Sequence, residues 1–362
     1  MRRLFICNTP FQTLNVLNIQ WHDKEKEYET DIYILNEFAN AASVYTEIKK
    51  SGLFSCVYLL KPLMFKSQNS MIRGMGLIWG YLHPESVVRW QLGEAVHRFP
   101  TDFYDVIMAS VNVVFIASLC KLNPKAEFFM FDDGLGSYYG NLAGGGWKYK
   151  LFTRIFRQND YAAIPQKLYV NNAGMCKSKA AVKIEQLPSW DKDFLTYVYK
   201  VFSVEPQKSR VGQRVIFLSQ PFEDIDISKS FNAVMELLTF VSEDVLIRFH
   251  PREAGRKVPE KIRTDHGSVM WELTASMTDM DDKILVGYYS TAQMTPKILF
   301  DQEPWLIFLY RIDKNLFDER MKKSLDIMVE DLRANYRDKG KIFIPDSIED
   351  FKEQLNSLMK RR

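Results

Sequence analysis

Short apolar runs separated by amphipathic segments recur along this chain in two sets, and that alternation leaves few folds open. Leu4–Cys7, Ile32–Leu35, Val57–Leu60, Val106–Ser110 and Glu127–Phe131 read as the strands of the first set. Val215–Leu218, Val245–Phe249, Ile284–Val286 and Trp305–Phe308 form the second, with helices such as Ser228–Ser242 between them. Strands alternating with helices predict parallel sheets covered by helices on both faces. Between the sets, Glu185 to Gln213 reads as a helix followed by a polar linker. The expected organisation is therefore α/β: a Rossmann-like domain over 1–190, a linker over 191–213 and a second Rossmann-like domain over 214–362. With 362 residues, 46% of them hydrophobic, each half has enough material for a sizeable core. Internal repeats and low-complexity tracts are absent from the sequence.

Chemistry-bearing residues gather where strands end. The first strand set runs out at FDDGLGSYYG, Phe131 to Gly140, where Asp132 and Asp133 share one turn with Gly134 and Gly136. Repulsion between adjacent carboxylates raises the pKa of at least one, and a carboxylate so poised can take a proton from a hydroxyl. An isolated Asp-Asp-Gly would read as a turn and nothing more. Here other strand ends carry complementary groups. The run VLIRF stops at His250-Pro251-Arg252-Glu253; Pro251 cannot extend a ladder, so an imidazole and a guanidinium fall in a strand-end loop, where open α/β sheets bind ligands. His250 with Arg252 would suit a phosphate leaving group that needs charge stabilisation and a proton.

A third strand end, ILVGYYSTAQMT, leads from Gly287 to Ser290 and Thr291 at a predicted helix start. Free N–H groups beside two hydroxyls make a phosphate site, and N-capping alone explains the pair equally well. Glu272, in VMWELTAS, reads either as a solvated helix residue or as an acceptor for both hydroxyls of a ribose. In the first strand-to-helix turn, Asn8, Thr9 and Gln12 are candidates for hydrogen bonds to a second substrate, against an N-cap reading with Pro10 at the first helical position.

Together these motifs resemble the bacterial sialyltransferases that carry a D/E-D/E-G motif, an HP motif and a later Ser-Ser/Thr pair, most closely glycosyltransferase family 52. Ala109 to Ser137 looks like that family's strand–helix–strand run into its FDDGxG turn, Ile6 to Leu14 like its first strand and turn, and IFLSQPF and FHPRE are similar too. The resemblance spans residue 3 to about residue 300; each motif is short, and their order and combination carry it. It implies a GT-B scaffold of two Rossmann-like domains facing across a cleft, and inverting transfer of sialic acid from CMP-sialic acid to a terminal sugar, galactose through an α2,3 linkage being the commoner case. It also implies no cofactor and no catalytic metal. Residue by residue, His250 matches the HP histidine that assists departure of the CMP phosphate, and Ser290 and Thr291 match the pair that holds that phosphate. Glu272 matches a ribose-binding acid, Pro251 and Arg252 flank the donor, and Asp132, Asp133 and Gly134 match the acidic motif. The general base stays open. Related families place it in the Asp-Asp-Gly turn; family 52 places it in the loop after the first strand of the second domain, which reads SQPFED here and offers Glu223 and Asp224.

Composition narrows the partners. A net charge of +3 with no long basic run argues against a nucleic-acid binder. Cys7, Cys56, Cys120 and Cys176 show no metal spacing and fit a reducing compartment, with Cys7 and Cys120 in apolar runs as small core residues. Five apolar residues after the N-terminal arginines are too few for a signal peptide or a spanning helix, and Met71 to Trp90, interrupted by charges and Pro84, reads as a bent helical pair. The expectation is a cytoplasmic enzyme acting on an oligosaccharide or glycolipid acceptor such as lipooligosaccharide or capsule. Peripheral contact with the inner membrane surface and a homodimer are both compatible with it. Gly144 to Arg157 mixes Lys148, Lys150, Arg154 and Arg157 with aromatics, as a lip on anionic lipid or as a helix with its aromatics inward. The last sixty or so residues carry no motif, and a transferase with another nucleotide-sugar donor or an inactive assembly protein on the same fold are the alternatives.

Overall fold

The computed structural model describes residues 1–23, 28–63, 75, 79–80, 82–93, 104–110, 114–139, 165–177, 182–222, 226–250, 253 and 256–361. Glu223, Asp224, Pro251, Arg252 and the Gly144 to Arg157 segment lie outside them. The chain forms two compact units, Met1–Ser203 and Val204–Arg362, dividing inside the 191–213 stretch.

In the first unit, β1 (Arg2–Cys7), β2 (Glu29–Leu35), β3 (Cys56–Leu60), β4 (Val106–Ala109), β5 (Glu127–Phe131), β6 (Lys167–Val170) and β7 (Lys183–Gln186) make one sheet in the order β3-β2-β1-β4-β5-β6-β7. Every pairing in it is parallel. Such strands are covered on both faces, so their sequences are apolar throughout rather than at alternate positions: in β4 and in residues 128–131 of β5 every residue is buried. The helices that cover it include α1 (Pro10–His22), α2 (Ala41–Ser51), α3 (Pro84–Leu92), α4 (Val114–Leu122), α5 (Leu135–Tyr139) and α6 (Lys192–Val201). The last of these packs on α1 and α2, with Trp21 stacked 4.9 Å from Tyr197 and Asn18 Nδ2 donating to Pro188 O at 2.7 Å. Residues 192–201 thus belong to the first unit.

The second unit repeats the plan. Strands β8 (Val215–Leu218), β9 (Val245–Arg248), β10 (Arg263–Asp265), β11 (Ile284–Gly287), β12 (Trp305–Phe308) and β13 (Ile342–Phe343) run in the order β10-β9-β8-β11-β12-β13, again all parallel. Its helices are α7 (Pro206–Ser209), α8 (Ser228–Thr239), α9 (Trp271–Met277), α10 (Thr291–Phe300), α11 (Glu319–Ala334) and α12 (Ile348–Lys360). The motif-free C-terminal stretch is a structural part of this unit: it supplies β13, and α12 packs on α8 while Arg214 Nη1 donates to Met359 O at 3.2 Å. Buried Lys297 and Glu303 pair at 2.6 Å and Glu303 also accepts from Arg337 N at 2.9 Å, pinning the end of α10 to the residues that follow α11.

Four strands escaped the apolar-run criterion: β6, β7, β10 and β13. β7 (KIEQ) and β10 (RTD) are edge strands with exposed positions, and β13 is two residues long. An edge strand has one hydrogen-bonded neighbour and meets solvent along its other side, so it has no need of a continuous apolar run. Among the described residues no helix is long and apolar enough to cross a membrane.

Candidate functional site

Each sheet reverses its strand order at one point, between β1 and β4 in the first unit and between β8 and β11 in the second. In open α/β sheets, ligands bind at such a point, outside the carboxyl ends of the strands. The candidate residues follow the ends of these strands or their immediate neighbours.

In the first unit the two adjacent acids have opposite environments. Asp132 is 1% exposed and surrounded by donors. Its Oδ2 accepts from Tyr138 Oη at 2.7 Å, Asn171 Nδ2 at 2.9 Å and Asn171 N at 3.2 Å, and its Oδ1 accepts from Gly134 N at 2.9 Å. Asn15 Nδ2 holds its carbonyl at 3.0 Å, and Asn171 Nδ2 also reaches Asn15 Oδ1 at 3.1 Å. Burial raises the Asp132 carboxyl above the ordinary range, and the Asn171, Tyr138 and Gly134 donors pull against it. Both carboxylate oxygens are hydrogen-bonded, so Asp132 ties α1, the β5 turn and the end of β6 together. Gly134 closes that turn with φ of 94°, a left-handed conformation that favours glycine.

Asp133 keeps an exposed edge, and its backbone N–H donates to Ser137 Oγ at 2.9 Å. Burial of its inner side pushes the carboxyl up to about 6; the Gln12 amide opposes the rise and the neighbouring Asp132 charge adds to it. A carboxyl near 6 with an open edge is suited to accept a proton at neutral pH. Of the expected pair, Asp132 is spent on structure and Asp133 is the one with an open edge.

The N-terminal turn is fixed as a helix cap. Thr9 Oγ1 accepts from Gln12 N at 3.2 Å, Pro10 occupies the first position of α1, and Asn8 N donates to Gln12 Oε1 at 2.8 Å. Cys7 is fully buried, which pushes its thiol well up and leaves it a core residue. Ser110, just beyond β4, is 5% exposed, and among the described residues its Oγ has no hydrogen-bond partner. Parallel register pairs Ile6 with Ala109, so Ser110 follows one position on, at the rung of Cys7.

In the second unit, His250 is half-buried beyond β9, and Glu253 N donates to its carbonyl at 2.8 Å. Glu253, 7% exposed at its side chain, accepts from Ser219 Oγ and pairs with Arg256 at 2.9 Å, which ties the His250 loop to the end of β8. Arg248 is paired with Asp265, donates to Val269 O, lies 5.4 Å from the Trp271 ring centroid and feels the charge of Glu272 in the first turn of α9. Trp271 Nε1 donates to Ala292 O at 2.7 Å. This chain of contacts links the His250 strand, Glu272 and the start of α10.

Ser290 is the N-cap of α10. Its Oγ accepts from Ala292 N at 3.3 Å, while its N–H donates to Gln293 Oε1 at 3.2 Å, completing a capping box. Tyr289 N donates to Gln220 Oε1 at 3.1 Å, bridging β8 and β11 at the switch point. A Cβ on Gly287 would lie 2.8 Å from Gln293 Oε1 and 3.0 Å from Leu218 O, so this approach requires glycine.

Sequence reasoning missed Asn15, Ser110, Tyr138, Asn171, Arg248 and Gln220. Part of the signal was present: Gln12, Thr13, Asn15 and Asn18 are polar residues on the buried face of α1, and buried polar side chains need partners. Among the described residues no three His, Cys, Asp or Glu side chains converge as metal ligands would.

No protein-family model matches the chain, and neither does any curated protein sequence. Solved structures resemble it over its whole length. The glycotransferase of kitacinnamycin has a TM-score of 0.55 at 8% identity, covering 99% of this chain and 90% of that one. UDP-GlcNAc 2-epimerase from Neisseria meningitidis bound to UDP-GlcNAc gives 0.54 at 10%, covering 100% and 92%. Spinosyn rhamnosyltransferase SpnG gives 0.50 at 11%, covering 99% and 91%. Likeness at these identities is a likeness of fold, and the fold is GT-B: two parallel-sheet α/β domains.

Proposed function

We propose that this chain is a nucleotide-sugar glycosyltransferase, and that its donor is CMP-sialic acid, transferred with inversion to a terminal sugar of a surface glycan. The observation that carries the reading is the Asp133 carboxyl of the first unit, raised to about 6 at a strand end; within the second unit, taken by itself, contacts link the His250 strand, Glu272 and the Ser290–Thr291 helix start. Asp133 takes the proton of the attacking acceptor hydroxyl. His250 meets the charge that develops on the departing phosphate, the start of α10 with Ser290 and Thr291 holds that phosphate, and Glu272 accepts from the ribose. The FDDG, HP and Ser-Thr motifs in this order support sialic acid as the sugar. No metal takes part in the proposed reaction. Neighbours whose names carry UDP favour a second reading, a GT-B enzyme with a diphosphate-linked donor.

Binding separates the two. A ligand at a hundredfold excess over its Kd stabilises the folded state by about 2.7 kcal/mol, about 5–10 °C in the melting temperature of a domain this size. In a thermal-shift panel of CMP, CDP, UDP, GDP and ADP, CMP is expected to give the largest rise. A shift with UDP or GDP and none with CMP selects the second reading.

A further inference from the structure

The chain uses one capping device twice. Thr9 to Gln12 opens α1 and Ser290 to Gln293 opens α10, each with a hydroxyl residue at the N-cap and a glutamine three positions on. In α10 the Gln293 amide is spent on structure: Oε1 accepts from Ser290 N, and Nε2 donates to Ile307 O at 3.0 Å and to Leu285 O at 3.4 Å. In α1 the glutamine bonds one residue earlier, to the N–H before the N-cap. Gln12 Oε1 accepts from Asn8 N at 2.8 Å, and because a backbone N–H can only donate, this bond fixes which end of the amide is oxygen. Gln12 is 1% exposed, yet its Nε2 meets no strand carbonyl and makes no hydrogen bond of normal geometry. The Gln12 side chain also acts on the Asp133 carboxyl, favouring its charged form, which places the unpaired amide beside that acid.

An unpaired buried donor is destabilising, and a cap needs only the oxygen of the amide. We propose that Gln12 is a positioning residue for Asp133, its Nε2 held by the Asn8 bond to donate to the ionised carboxylate and orient it. The inference rests on reading Asp133 as the proton acceptor. Among the described residues, four groups bear on that carboxylate. Asp132 on the same turn opposes its ionisation, Cys7 on β1 is a buried thiol, Ser137 Oγ is engaged by the Asp133 backbone N–H, and Gln12 favours the charged form. Without Gln12 the carboxyl would titrate higher and be protonated over more of the neutral range.

The test is a carbon-13 carboxyl titration of the full-length protein labelled at aspartate, with the Asp133 signal assigned by its loss in Asp133→Asn. Wild type is expected to titrate near 6. Gln12→Met removes the donor at similar volume and is expected to raise the Asp133 midpoint by about 1 pH unit, since a hydrogen bond to a charged group is worth at least that much. Gln12→Glu keeps an oxygen for Asn8 N, and so keeps the cap, and is expected to raise the midpoint at least as far. An unmoved or lowered midpoint in a folded Gln12→Met protein overturns the inference; should that variant not fold, an unmoved midpoint in Gln12→Glu does the same. The titration needs no substrate. A protein that shows the shift but transfers no sialic acid keeps this inference and loses the functional reading.

Discussion

Asp133→Asn is expected to bind CMP as tightly as wild type and to transfer no sugar. The amide keeps the size and shape of the carboxyl and cannot take a proton, so it separates catalysis from donor binding. The same substitution has a signature in stability. The folded Asp133 carboxyl titrates at about 6 and its ordinary value is 3.8, so between these values the folded protein holds a proton that the unfolded chain has lost. The stability present below 3.8 is lost as pH rises through 6. Asp133→Asn removes that loss: the variant should melt above wild type at pH 7.5, and the two should converge below pH 4. Asp132→Ala gives the opposite pattern, a loss of about 3 kcal/mol in urea denaturation, because it leaves buried Tyr138, Asn171 and Gly134 donors without their acceptor. Glu223→Gln and Asp224→Asn, outside the described residues, should be milder than Asp133→Asn in transfer. An active Asp133→Asn alongside an inactive Glu223→Gln or Asp224→Asn would move the base to the loop after β8.

His250→Ala is expected to lower kcat on the order of a hundredfold with little change in the KM of the donor. The group it meets acquires its charge as the bond to the sugar breaks, so the interaction is worth more in the transition state than in the ground state. A hundredfold corresponds to about 2.7 kcal/mol. Glu253, Ser219 and Arg256 hold this loop through their own contacts, and the backbone bond from Glu253 N uses the His250 carbonyl, which the substitution keeps. The variant should fold, and near wild-type turnover in it would remove His250 from the reaction.

What the sequence revealed follows from how much of each feature is local. Central strands such as VIFL and ILVG are apolar because helices cover both faces, and that demand is written within a few residues. The FDDG turn, the HP pair and the Ser290 cap are equally local. Edge strands carry no such demand, so KIEQ and RTD passed unnoticed. The two acids at 132 and 133 are indistinguishable in the sequence. Their division of labour comes from Asn15 and Asn171, 117 and 39 residues away along the chain. Gln12 and Gln293 stand at the same position after their N-caps, but Gln293 bonds its N-cap N–H and two strand carbonyls whereas Gln12 bonds the N–H of Asn8.

The most direct measurement of the central claim is acceptor-dependent release of CMP from CMP-sialic acid by the wild-type protein in EDTA, with a galactose-terminated oligosaccharide as acceptor. The account predicts CMP release that requires active Asp133 and His250, yields a sialylated product and proceeds at the same rate with or without chelator. A rate that collapses in EDTA and returns with magnesium or manganese, or no CMP release from a folded protein that consumes a UDP-sugar, would contradict it.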